Sequence, residues 1–128
     1  MIYLIQTKLC TETQAGNCLA TALACILELP LVTIPKFEIM GSDWFSKFSN
    51  WLESIGFYPI ILREKLVFPG YYLVMGVSPR DKNVNQQVIF KNGKMIHDPH
   101  PSGDGILNIK EIMLLVPFDP SNLLCLES

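Results

Sequence analysis

The 128-residue sequence is poor in charge: Asp, Glu, Lys and Arg make up 17% of it, and its ten Lys and Arg are scattered. With a formal net charge of −2 and no basic block to follow a phosphate backbone, it is not built for nucleic acid. It also lacks a membrane span. The longest apolar stretch, residues 18–35, is broken by Glu28 and Pro30 and falls short of the roughly 20 continuous apolar residues that a crossing helix needs. The opening MIYLIQTK has neither a basic region before an apolar stretch nor a small-residue cleavage site, so a cytosolic location is expected. Cysteine is too sparse for a secreted disulfide scaffold, and Cys10, Cys18, Cys25 and Cys125 are expected to be free thiols. Histidine is scarcer still, with only His97 and His100. Together with Cys10, Cys18 and Cys25 they make no closely spaced ligand pairs, so no metal and no cofactor is expected. Repeats, low-complexity linkers and internal boundaries are missing too, which points to a single domain over residues 1–128.

What is present is apolar and patterned. Hydrophobic residues form 49% of the chain, enough for a core of ordinary size. Residues 1–6 alternate weakly, as a short strand or an extended lead-in, and 8–16 are polar and turn-like. From Cys18 to Leu29 the chain is rich in helix formers and apolar around its whole circumference, which predicts a buried central helix with Asn17 as N-cap and Pro30 as stop. A second helix is predicted from Ser42 or Asp43, with Trp44, Phe45, Phe48, Trp51, Leu52 and Ile55 on one face and Gly56 beyond its end. That aromatic face reads as core, with Trp44 or Trp51 as the alternative wall of a groove. Short β-branched and aromatic runs follow at 58–62, 71–77, 86–91, 94–97 and 111–116. Asn92-Gly93 is a two-residue turn that should pair the third and fourth of these as a hairpin. Helices first and a mostly antiparallel sheet afterwards make an α+β domain.

One position stands out for chemistry. A cysteine directly after an N-cap lies where unpaired backbone N–H groups and the positive end of the helix dipole stabilise a thiolate. Cys18 is therefore a candidate nucleophile, the alternative being a small buried residue of the core. Cys25, seven residues on, should pack beneath it on the same helix face. Ser102-Gly103-Asp104-Gly105 has neither a P-loop lysine nor the repeated acidic ligands of a calcium loop, and reads as a flexible rim of the cleft.

The combination of Gln6, Gly16-Asn17-Cys18 at a helix start and His97-Asp98-Pro99 after a hairpin resembles the papain-like cysteine peptidase superfamily. The resemblance is to its compact bacterial and phage members, akin to the C39 and NlpC-like peptidases, and it covers roughly half the chain, at 16–37 and 70–105. It implies a papain-like fold with an N-terminal central helix on a small antiparallel sheet. It also implies Cys18 as nucleophile, Gln6 as an oxyanion-hole amide with Gln14 as rival, and Asp98 as the group that orients the base. Asp98 before Pro99 reads equally as ordinary turn chemistry.

The place of the base departs from the pattern. Where the resembling sequences carry histidine at the start of the hairpin, this one has Gln86, whose neutral amide can hydrogen-bond but cannot take up and return a proton. Of the two histidines, His97 should face away from the cleft if Asp98 faces it, because neighbours on a strand point to opposite sides. His100 is less constrained. Two functions follow from the resemblance. One is a degenerate papain-like domain that binds a protein or peptide in a cleft near Cys18. The other is an active cysteine hydrolase, a peptidase or amidase, in which His100 or another group serves as base.

Overall fold

The computed structural model describes residues 1–11 and 14–122. Cys125 lies outside the described residues. Helix α1 spans Cys18–Leu27 and α2 spans Trp44–Ser54, with three short 3-10 turns between them. Five strands follow: β1 (Phe57–Leu62), β2 (Tyr71–Val77), β3 (Asn85–Lys91), β4 (Lys94–His97) and β5 (Ile109–Pro117). They form one open sheet in the order β1-β5-β2-β3-β4, with every neighbouring pair antiparallel. The α+β class and the antiparallel sheet are thus as expected, and β2 and β4 have the predicted bounds.

Both helices lie on one face of the sheet, α1 over β3 and β2, α2 against β1. The core on that side joins Ala22, Leu23, Ile26 and Phe48 to Leu73, Ile89 and Met113 of the strands. The opposite face carries a smaller cluster of Tyr72, Val74, Val88 and Ile112. Strand residues alternate between the two layers, as the two-residue repeat of a pleated strand requires. The turn at Asn92-Gly93 has positive φ at both residues (53° and 87°), the backbone of a type I′ turn, and this is what closes the β3–β4 hairpin.

Residues 1–6 take the second of the two forms expected of them, an extended lead-in rather than a strand, held by Ile2 N–H to the Cys25 carbonyl and Gln6 N–H to the Pro99 carbonyl. Two local expectations are corrected. Helix α1 stops at Leu27 rather than Leu29, because Glu28 turns into the left-handed region (φ 55°) and Leu29 N–H bonds back to the Ala24 carbonyl. Asn17 occupies the N-cap position, but its side chain caps nothing. Its Oδ1 accepts from Lys8 N–H at 2.9 Å and its Nδ2 donates to Thr7 Oγ1 at 2.9 Å, so it fastens the polar segment to the helix start instead.

Candidate functional site

The first residue of α1 is Cys18, so its own N–H and that of Leu19 belong to the first helical turn, where backbone donors lack helical partners. These groups and the backbone of Gln87 on β3 lie against the thiol and favour its ionised form. Burial outweighs them. The Cys18 thiol is pushed above its ordinary value, chiefly by desolvation, and the nearby Asp98 charge adds to the effect. The depressed thiol expected at a helix start is therefore not what this site produces: it favours the protonated sulfur.

Behind Cys18 lies a buried polar chain. Gln6, Gln86 and Asp98 are each at least nine-tenths buried, and the Gln86 Nε2 donates to Asp98 Oδ1 at 2.9 Å and to Gln6 Oε1 at 3.1 Å. An ionised carboxylate only accepts, so Asp98 fixes which way the Gln86 amide points, and Gln86 in turn fixes Gln6. The Gln6 Nε2 is directed to the Lys8 carbonyl at 2.8 Å, the same carbonyl that receives Asn17 N–H. Its amide nitrogen thus sits beside the backbone entering Cys18. A Cβ at Gly16 would come within 3.3 Å of it and 3.1 Å of the Cys10 nitrogen, so glycine lets the strands of this knot close up. Asp98 also accepts from His100 N–H at 3.0 Å and, through Oδ2, from Gly105 N–H at 2.8 Å. The segment after β4 wraps around this carboxylate. Both readings of Asp98, partner of residue 86 and turn-capping residue, are realised in one geometry.

In front of Cys18 an open groove of ≈ 970 Å³ runs between the helices and the sheet. Leu19, Phe37, Trp44 and Phe45 supply its helical side; Ile61, Met75 and Met113 supply apolar floor from the strands. Asn85 and Gln87 of β3 add amides. Ile89 faces the helices while Val88 and Phe90 belong to the far layer, so Gln87 falls on the helix side and Gln86 on the other parity. Gln86 does not line the groove. The sequence pattern had singled out Gln86 and passed over Gln87, although the alternation along β3 carries that information. Glu38, Arg63 and Glu111 also line the groove and carried no sequence signal of their own.

The remaining candidates separate from this centre. Gln14, exposed, spends its amide on the Leu9 carbonyl at 2.9 Å within its own loop. His97 faces the lead-in, with Nε2 2.6 Å from the Leu4 carbonyl and its ring edge-on to Tyr3. The His100 imidazole accepts Ser102 N–H on Nδ1 at 3.0 Å and lies 2.9 Å from Ser102 Oγ, which Arg80 holds at 2.7 Å. Desolvation, followed by the Arg80 charge, lowers its pKa, and it does not line the groove. The Cys25 thiol receives Leu4 N–H at 3.2 Å and so anchors the lead-in to α1. Ser102 to Gly105 forms a knot around Asp98 and Arg80 and is not a rim of the groove. The aromatic face of α2 divides: Phe48 is core, Trp51 packs on Phe37, and Trp44 forms part of the groove wall. Among the described residues no group of three His, Cys, Asp or Glu is placed to hold a metal ion, and no helix is long and apolar enough to cross a membrane.

Comparison of the chain with protein-family models, with curated proteins and with solved structures found no match.

Proposed function

We propose that this is a degenerate papain-like domain that binds a protein or peptide in the groove beside Cys18. The observation that carries the reading is the buried Gln6–Gln86–Asp98 chain next to a cysteine at a helix start. These are the residues that the papain-like resemblance assigns to oxyanion amide, base, orienting acid and nucleophile. Gln86 holds the base's place as a neutral donor, and both close contacts of its Nε2 are internal. Acyl transfer by this site would need a group that takes the thiol proton and gives it to a leaving group. An amide does neither, and the thiol is held protonated by burial. A groove with apolar walls and a few amides is suited to holding a chain of mixed polarity.

The test is the rate of iodoacetamide labelling at Cys18 against pH, read by mass spectrometry of the peptide that contains it. Labelling that stays slow at neutral pH and rises only in the alkaline range is the expected result. Rapid labelling near pH 6 would mean an imidazolium-paired thiolate and favour the hydrolase, with His100 or another group as base. A Gln86→His variant assayed on activated esters and peptides complements it, since gained hydrolysis identifies position 86 as the base's place.

A further inference from the structure

The charges of the groove are unevenly placed. Glu38 lines both the Cys18 groove and the adjoining depression at Thr7 and Lys8, and its side chain is only 8% exposed. Its counter-charge, Lys8, is 36% exposed and stands at 3.7 Å, outside ordinary hydrogen-bond distance. The same imbalance recurs at Glu111, 26% exposed, whose partner Arg63 is 81% exposed and 3.6 Å away. Glu38 therefore presents to the groove a carboxylate whose counter-charge, Lys8, lies outside it in the adjoining depression, whereas Glu111 keeps Arg63, itself a lining residue, as a largely exposed and loosely held partner. Most of the remaining wall is aromatic and aliphatic, and β3 adds the Asn85 and Gln87 amides.

Building on the peptide-binding reading above, we propose that the groove takes an extended peptide segment of another protein in which a lysine or arginine stands beside a large apolar residue. The cation answers Glu38 and displaces Lys8; the apolar side chain lies against Phe37, Trp44 and Phe45; the Asn85 and Gln87 amides hydrogen-bond to the peptide backbone. A lipid chain satisfies the apolar wall but leaves those amides unanswered and offers Glu38 no closer cation than Lys8, which a water-excluding contact penalises. A cationic, apolar peptide satisfies all three.

The experiment is selection of a displayed random heptapeptide library on the full immobilised chain, followed by fluorescence anisotropy with one labelled peptide from the enriched set. Enrichment of basic residues next to large apolar ones is expected. Replacing the probe's basic residue by norleucine should weaken binding on the order of tenfold, as loss of a charge-assisted hydrogen bond does. Glu38→Gln should weaken the basic probe similarly and leave the norleucine probe unchanged. Lys8→Met, which removes the competing cation, should tighten the basic probe, a gain that mere damage to the fold would not produce. Enrichment of apolar peptides without basic residues, or a basic preference that survives Glu38→Gln and Glu111→Gln, overturns this inference while leaving peptide binding in place. Enrichment of no peptide at all overturns both.

Discussion

At the scale of single residues, the site depends on one carboxylate more than on the cysteine. Asp98 collects the Gln86 amide and the backbone N–H groups of His100 and Gly105 in a buried setting. Removing it leaves three donors short of a partner, at least two of them buried with it. Removing Gln86 leaves two acceptors each short of one donor. An unsatisfied buried polar group costs about 1–3 kcal/mol. Asp98→Ala should therefore lower the unfolding free energy by roughly 3–5 kcal/mol, and Gln86→Leu by roughly 1–3 kcal/mol, in urea titrations. A Gln86→Leu loss equal to or larger than that of Asp98→Ala would contradict the hierarchy. The position of Gln86 in the chain of residues was legible from the sequence through its resemblance. Its orientation was not, because the direction of an amide is decided by which neighbour can only accept.

At the scale of elements, the hairpin and the strands were legible because their signals are local. Asn92-Gly93 needs only its own two backbone conformations, and β2 declares itself by β-branched and aromatic residues. The ends of α1 were less so: a left-handed Glu28 and a non-capping Asn17 are set by what packs around them. Gly76 is the strongest case of tertiary context. Within β2 it reads as a weak strand residue, yet a Cβ there would stand 2.2 Å from the Asn108 carbonyl oxygen and 2.8 Å from Ile106 Cδ1. The register of β2 against β5 also shifts at this point. Since the nearest atom is backbone, the residue 106–109 segment cannot yield by rotating a side chain. Gly76→Ala should cost about 1–3 kcal/mol, the range of an overpacked core, and loosen this segment first. Hydrogen exchange is the measurement: Leu107 N–H, bonded to the Val77 carbonyl, should lose protection before the β2–β3 ladder does. Equal protection in variant and wild type would show that the close approach is not a constraint.

At the scale of the whole molecule, the candidate site is assembled from four distant stretches, and the Gln6–Gln86 bond alone spans 80 positions. Composition and periodicity act over a turn or a strand, so they identified Cys18 at a helix start without disclosing that burial would govern its thiol. Cys18 and Cys25 both ionise less readily in the fold than an ordinary thiol, in each case chiefly through desolvation. For a group whose folded pKa is raised, the stabilisation is complete below the unfolded value, here 9.0, and is lost as pH rises through the higher folded value. The unfolding free energy of the reduced protein should thus decline between pH 8 and the alkaline end of the titration. Tyrosine and lysine ionise in the same range, so the cysteine share is isolated by comparison with a Cys18→Ser, Cys25→Ser variant, whose hydroxyls do not titrate there. The variant should start less stable and decline less steeply, the two urea-derived curves converging as pH rises. Parallel curves would mean that neither thiol is held protonated by the fold, and the account of Cys18 as a desolvated, unactivated sulfur would fall with them.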